Sequence, residues 1–173
     1  CGICLSDPLI YEAFTYYDHE VLPYKNDDMI NAKAMPGAHA ALQAVQDAGL
    51  RCALFTNPSF PQGAIECRMG WGELTDAPFE LVTHMGNATR CKPDATYYLE
   101  QLQVMGLEPH EVLMVGNDPK RDFPSPACGI QTAYVGQGKP GRATWRGTME
   151  DFARDFNAVV EAFYEHQIAD ELS

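Results

Sequence analysis

Short apolar runs that are typical of buried strands alternate with helix-like segments along most of this 173-residue chain. Four runs qualify by length and composition, at residues 52–55, 79–83, 112–115 and 131–135. Because strands that alternate with helices pair side by side in one direction, the pattern predicts an α/β domain with a mainly parallel sheet. In such sheets ligands bind beyond the carboxyl ends of the strands, so the residues that follow each strand are the candidates for function.

Helices are expected between and after these strands, at residues 36–49, 62–71, 93–106 and 149–163. Pro36 is suited to the first position of the first of these helices. The last is predicted as one amphipathic helix, opened by a capping box of Thr148 and Asp151. Residues 136–147 are predicted to be a glycine-rich loop with several cations. Aromatic spacing within residues 5–31 indicates a helical segment that a proline interrupts.

Composition excludes several classes of protein. With 12 Lys and Arg against 24 Asp and Glu, the chain has a formal net charge of −12 at pH 7, which argues against a nucleic acid partner. No apolar run approaches the ~20 residues that span a bilayer, so no membrane partner is expected. The six cysteines show no framework of metal ligands, and the C-x-x-C spacing of Cys1 and Cys4 is attributed to chance. We therefore expect reduced thiols in a cytoplasmic protein.

Two strand ends carry groups suited to an anion. Thr56 and Asn57 follow the first strand, where a hydroxyl and newly exposed backbone N–H groups can bind an anion. The alternative for Thr56 is a turn or capping residue. Lys92 stands before Pro93 at a helix start and is well placed to neutralise a phosphate, or else it is an ordinary solvated lysine.

The third strand ends in a loop that carries three oxygen-bearing side chains, Asn117, Asp118 and Asp122. Two carboxylates and an amide at the mouth of a parallel sheet are hard ligands suited to Mg²⁺. The alternative is an Asx turn followed by a helix cap. Taken together and in order, the three strand ends indicate an anion-binding group, a cation and metal ligands that converge on one site.

A family resemblance appears in these runs. L-F-T-N at residues 54–57, K-P at residues 92–93 and V-G-N-D-P-K-R-D at residues 115–122 follow the order and spacing of the second, third and fourth motifs of the haloacid dehalogenase-like hydrolases. Residues 36–136 resemble that superfamily, most of whose members are phosphatases, and in particular a bacterial phosphatase-type subgroup. The resemblance implies a three-layer, Rossmann-like α/β domain.

The resemblance also implies a reaction. The nucleophilic Asp of the family attacks phosphorus to form an aspartyl-phosphate, which water then hydrolyses. Thr56 and Lys92 would be the catalytic residues of this chain: Thr56, with the N–H of Asn57, would hold a phosphate oxygen, and Lys92 would offset its charge. Mg²⁺, held by Asn117, Asp118 and Asp122, would be the cofactor, and a small phosphorylated molecule the substrate. The oligomeric state stays open.

The sequence departs from the family pattern in two places. The first motif, D-x-D-x-T after an apolar strand, does not occur, and because residue 1 is Cys rather than Met we expect that motif upstream. Residues 1–35 are then the end of a helical cap, residues 36–147 the α/β core, and residues 148–173 a C-terminal helix and tail. The central first strand would be missing, which leaves its two neighbours unpaired. The second departure is Asn117, an uncharged residue in place of an acid.

Other functions remain open at this point. The chain as given is expected to be inactive by itself, because the nucleophile is absent. A non-catalytic binding or regulatory protein of the same fold is one alternative, and a dehalogenase that needs no metal is another. The carboxylates around Asp118 favour the Mg²⁺-dependent phosphatase.

Overall fold

The computed structural model describes residues 7–138 and 142–171. Its α-helices are Pro8–Tyr16 (α1), Ala38–Asp47 (α2), Gln62–Trp71 (α3), Ala95–Met105 (α4), Met149–Arg154 (α5) and Phe156–Glu171 (α6). Its strands are Cys52–Leu54 (β1), Phe79–Val82 (β2), Leu113–Gly116 (β3), Gln131–Val135 (β4) and Trp145–Gly147 (β5). The alternation of strands and helices from α2 onwards confirms the predicted α/β fold.

All paired strands are parallel, but they form two sheets. β1 pairs with β2, and β3, β4 and β5 form the second sheet in that order. Among the described residues β1 and β3 do not pair with each other, so each has one edge without a partner strand. The carboxyl ends of β1 and β3 therefore have to be held together by something other than a shared ladder.

α4 and the side chains around it supply that connection. Tyr97, Tyr98 and Leu102 of α4 are fully buried and form a core cluster with Cys128 and Ile130. Phe55, directly after β1, and Met114, in β3, pack against this cluster. A second cluster fills the space between the three-stranded sheet and helices α2, α5 and α6: Ala41, Ala133, Val135, Phe152, Phe156 and Val159.

Local sequence explains where the principal helices begin and end. Asp94 caps α4, because its side chain accepts the backbone N–H of Thr96 at 2.8 Å, and the helix ends at Gly106, whose φ of 66° favours glycine. The predicted capping box of Thr148 and Asp151 is present at the start of α5. α2 begins at Ala38, two residues after Pro36, so the prediction that Pro36 is its first residue was wrong by one half-turn.

Two predictions at the C-terminal end were wrong. Residues 136–147 are not entirely a loop, because β5 pairs with β4 there and Trp145 packs on Phe152 with ring centroids 5.4 Å apart. A three-residue strand carries too little pattern to be recognised from sequence. The last helix is not continuous either: Asp155, with φ −96° and ψ 13°, leaves helical geometry and separates α5 from α6.

The N-terminal part is helical. α1 is followed by single turns that run to Ile30, and the proline expected to interrupt the helix lies in a short 3₁₀ turn, Leu22–Tyr24. Cys1 and Cys4 lie outside the described residues. Cys52, Cys67, Cys91 and Cys128 are free thiols. Within residues 7–138 and 142–171, no helix combines the length and the apolar character that a membrane span requires.

Candidate functional site

Lys92 and Asp122 form a nearly buried ion pair beyond the carboxyl end of β3. The Nζ of Lys92 lies 2.6 Å from the Oδ1 of Asp122, and the two side chains are only 10% and 13% exposed. Lys92 is therefore not a solvated surface lysine. The pair joins the segment before α4 to the loop after β3, which the sequence had predicted to meet.

Asp122 also organises its own loop. Its Oδ2 accepts the backbone N–H of Asn117 at 3.1 Å and that of Asp118 at 2.9 Å. The carboxylate fits there because residue 116 is glycine: a Cβ on Gly116 would lie 2.5 Å from the Cβ of Asp122. Asp122 thus accepts hydrogen bonds from both the loop backbone and Lys92, and its carboxylate fixes the position of the Lys92 ammonium relative to the loop.

Asp118 and Asn117 are the more accessible members of the loop. The Oδ1 of Asp118 accepts the N–H of Lys120 at 3.0 Å, so the Asx turn that was the alternative to metal ligands is present. The Oδ2 of Asp118 lies 3.5 Å from the Nε of Arg121. Its side chain is nevertheless 43% exposed, and Asn117 is exposed.

The donor chemistry of this loop can be compared with that of a Mg²⁺ site. In the part of the chain that the structure describes, no group of three or more His, Cys, Asp or Glu side chains is arranged to hold a metal ion. Mg²⁺, however, usually keeps several waters and takes only one or two carboxylates. The exposed oxygens of Asp118 and Asn117 fit that simpler arrangement, whereas the Asp122 carboxylate would have to be shared with Lys92.

Thr56 lies at the end of β1 and is held by the end of β2. Its backbone N–H donates to the Oγ1 of Thr83 at 2.7 Å, and its own hydroxyl donates to the carbonyl oxygen of Thr83 at 2.6 Å. The carbonyl oxygen of Thr56 accepts the hydroxyl of Tyr97 at 2.6 Å. Asn57, the next residue, is exposed.

Two consecutive tyrosines of α4 reach the two halves of the site. Successive helical residues point about 100° apart, and Tyr97 contacts Thr56 while Tyr98 donates to the carbonyl oxygen of Asp122 at 2.6 Å. Burial raises the pKa of both phenols well above the ordinary value of 10.0, so both stay protonated, and remain donors, at alkaline pH values at which an exposed tyrosine ionises. Lys92 lies just before α4, so the same segment also carries the cation that pairs with Asp122.

The structure thus brings Lys92, Asn117, Asp118 and Asp122 into direct or backbone contact. Thr56 is connected to them through α4. An open hollow of about 470 Å³ lies against the same segments, and it is lined by Pro93, Pro119, Phe123, Pro124, Ser125 and Arg142.

Sequence reasoning missed Thr83, Tyr97 and Tyr98. A polar residue directly after β2 was a usable signal for Thr83, since Thr56, Asn57, Asn117 and Asp118 were identified in the same way, as polar residues that follow a strand. The tyrosines carried no such signal, because a helical pattern does not show which polar atoms of a buried face meet backbone carbonyls.

Comparison with known proteins agrees with this geometry. A family model described as haloacid dehalogenase-like hydrolase matches residues 7–128. A phosphoglycolate phosphatase of Rhodospirillum rubrum is 30% identical over 115 residues, which cover 66% of this chain and 46% of that protein. The chain therefore spans about half the length of this curated relative.

Solved structures share the fold. A β-phosphoglucomutase from Clostridium difficile has a TM-score of 0.65 at 16% identity, over 92% of this chain and 67% of its own. A HAD family hydrolase from Deinococcus radiodurans, solved with bound phosphate and sodium, has a TM-score of 0.61 at 20% identity. The match covers 91% of this chain and 77% of that protein. With the family match extending over most of the residues that carry the strands and the loop after β3, the chain belongs to the haloacid dehalogenase-like hydrolases.

Proposed function

We propose that the protein containing this chain hydrolyses small phosphomonoesters in a Mg²⁺-dependent reaction. The observation that carries the proposal is the Lys92–Asp122 pair, a nearly buried cation held beside an exposed carboxylate-bearing loop at the ends of parallel strands. The phosphatase relative supports the reaction class. An acidic chain that presents the nearly buried Lys92 at this edge is suited to a small anion rather than to a polyanion.

In the proposed reaction an aspartate carboxylate attacks phosphorus, the bond between phosphorus and the ester oxygen breaks, and a second aspartic acid, two residues after the first, gives its proton to the leaving alcohol. The carboxylate so formed takes a proton back from the water of the next step. Water then cleaves the aspartyl-phosphate and releases inorganic phosphate. The sequence contains no D-x-D-x-T run, so we expect the attacking aspartate to come from outside residues 1–173.

The roles of this chain are electrostatic. Lys92 would offset negative charge that develops on the phosphoryl oxygens, and its pairing with Asp122 keeps the ammonium in place before the substrate arrives. Thr56 and the N–H of Asn57 would bind a non-bridging oxygen. Asp118 and Asn117, with Asp122 shared, would hold Mg²⁺, which supplies further charge stabilisation when bound.

The test uses the full-length natural protein that contains this chain, with p-nitrophenyl phosphate and a panel of small phosphomonoesters. Lys92→Ala is expected to lower kcat/KM by about 100-fold or more, after correction for the folded fraction. Lys33→Ala, which removes an exposed lysine, is the matched control and should retain full activity.

Chelation tests the metal. Excess EDTA should abolish turnover, and added Mg²⁺ should restore it. Activity that persists in EDTA would contradict the metal role, and a protein that releases halide from 2-haloacids without hydrolysing phosphate would replace the phosphatase proposal with a dehalogenase. A folded full-length protein without either activity would favour a non-catalytic role.

A further inference from the structure

Thr83 places a completely buried hydroxyl beside Thr56. The Oγ1 of Thr83 accepts the N–H of Thr56 at 2.7 Å and lies 2.9 Å from the hydroxyl of Tyr97, which is also fully buried. Tyr97 has one hydroxyl proton, and it donates that proton to the carbonyl oxygen of Thr56 at 2.6 Å. The proton between Thr83 and Tyr97 must therefore come from Thr83.

These bonds form a closed ring. It runs from the N–H of Thr56 to the hydroxyl of Thr83, from there to the hydroxyl of Tyr97, and back to the carbonyl oxygen of Thr56. Because each member of this buried network has its partners, the ring holds the backbone of Thr56 rigidly at both its N–H and its C=O.

The side chain of Thr56 is held differently from its backbone. Its hydroxyl proton is donated to the carbonyl oxygen of Thr83 at 2.6 Å. A hydroxyl has only one proton to donate, so Thr56 has to release this bond before it can donate to a phosphate oxygen. The ring leaves that rotation possible while it keeps the backbone in place.

We propose that Thr83 and Tyr97 are positioning residues for the phosphate group, which act by fixing the backbone from which the Thr56 hydroxyl and the Asn57 N–H bind the anion. The inference rests on the proposed function, since it assigns these residues to the phosphate site of that reaction. Neither residue touches the substrate in this proposal.

The structure offers a matched comparison within the same helix. Tyr98 is as buried as Tyr97 and also donates to a backbone carbonyl at 2.6 Å, but that carbonyl belongs to Asp122 on the other half of the site. An effect transmitted through Thr56 should therefore depend on Tyr97 and Thr83 and not on Tyr98.

The experiment measures the affinity of the full-length protein for inorganic phosphate, as the dissociation constant and as the product inhibition constant. Thr83→Val removes the hydroxyl at almost unchanged volume and should weaken phosphate binding about 10-fold, the equivalent of one net hydrogen bond. Thr83→Ser keeps the hydroxyl and should restore affinity to within about twofold. Tyr97→Phe should weaken binding like Thr83→Val, and Tyr24→Phe, at a 72% exposed position, should not.

A second background separates positioning from general destabilisation. The background is Thr56→Ala, which lacks the hydroxyl that the ring is proposed to present. In that background Thr83→Val and Tyr97→Phe should each change phosphate affinity by less than they do in the wild type. Tyr98→Phe should change phosphate affinity equally in both backgrounds. Equal losses from Thr83→Val in both backgrounds would overturn the proposal. If Thr83→Val does not fold, Tyr97→Phe tests the proposal instead, by its loss of phosphate affinity in the wild-type and the Thr56→Ala backgrounds.

The two proposals fail in different ways. A wild-type protein that neither binds inorganic phosphate nor hydrolyses phosphomonoesters overturns the proposed function, and this inference with it. A wild-type protein that does both, with Thr83→Val and Tyr97→Phe matching its phosphate affinity, overturns this inference alone.

Discussion

The Lys92 ammonium lies 2.6 Å from the Asp122 carboxylate, and this contact links two segments that no strand pairing joins. Lys92 precedes α4, while Asp122 ends the loop after β3, and both side chains are almost removed from solvent. A charge in such a place is tolerated only because it is paired. The pair therefore has a structural consequence as well as the catalytic one proposed above.

Removing one partner should leave the other charge buried and uncompensated. We expect Lys92→Ala to lower the free energy of unfolding by about 3 kcal/mol. Arg51→Ala is the matched control, because Arg51 pairs with Glu80 on the surface, where the side chains are 43% and 46% exposed. Because solvent screens an exposed ion pair, Arg51→Ala should cost much less unfolding free energy than Lys92→Ala. Urea denaturation of both variants measures the difference, and equal costs would show that the Lys92 pair is effectively solvated.

Gly116 should tolerate no side chain. A Cβ there would lie 2.5 Å from the Cβ of Asp122 and 2.8 Å from its Oδ2, so Gly116→Ala has to displace the carboxylate that holds Lys92 and the loop. We expect a loss of about 1–3 kcal/mol in unfolding free energy, together with weaker phosphate binding.

The control for Gly116 is another glycine with room for a methyl group. A Cβ on Gly70, in α3, meets only the Oγ1 of Thr75 at 3.7 Å. Gly70→Ala should be neutral or stabilise the protein by about 0.5 kcal/mol. A Gly116→Ala variant as stable as Gly70→Ala would mean that the loop after β3 moves freely, and the proposed rigidity of Asp122 would be wrong.

The elements that position the site were predictable because their signals are local. β3 and β4 are short apolar runs that end at glycine or loop residues, and the residues after β1 and β3 stand out as polar groups at strand ends. Lys92 was identified by its place before Pro93 at a helix start. These features depend on neighbouring residues in the sequence, so they can be recognised without knowledge of the tertiary structure.

The remaining features depend on contacts between distant residues. The break at Asp155 escaped prediction because the apolar periodicity continues from α5 into α6 across it. β5 is defined by pairing with β4, and the ring of Thr56, Thr83 and Tyr97 joins residues from three separate elements. No local pattern contains that information.

The capping box of α5 predicts an acid-sensitive contribution to stability. Hydrogen bonds from Thr148, and then from Arg154, lower the pKa of Asp151 from 3.8 to about 2. Because the folded-state pKa lies below the unfolded one, the contribution is present above pH 3.8 and is lost as the pH falls towards 2. Thr148→Ala should cost about 1 kcal/mol at neutral pH and reduce the acid dependence of the unfolding free energy.

Thr144→Ala serves as the control for this measurement, since Thr144 is exposed and lies outside the capping box. Its unfolding free energy should follow that of the wild type from neutral pH to pH 2. An acid profile of Thr148→Ala that coincides with both would show that the Thr148 hydroxyl contributes nothing to the lowered pKa of Asp151, which the backbone N–H of residue 148 and Arg154 would then maintain.

The buried tyrosines predict the opposite behaviour at alkaline pH. Burial, and for Tyr98 the nearby Asp122, raises the pKa of the phenol above the ordinary value of 10.0. The folded protein therefore resists deprotonation that the unfolded chain allows, so the contribution of Tyr98 is complete below pH 10 and is lost as the pH rises further. Above pH 10 we expect the wild type to lose unfolding free energy more steeply than Tyr98→Phe, by up to about 1.4 kcal/mol per pH unit. The control is Tyr24→Phe, at a position 72% exposed, whose unfolding free energy should fall with pH as steeply as that of the wild type. If the unfolding free energy of Tyr98→Phe falls equally steeply, the Tyr98 hydroxyl lies in solvent and does not donate to the backbone of Asp122.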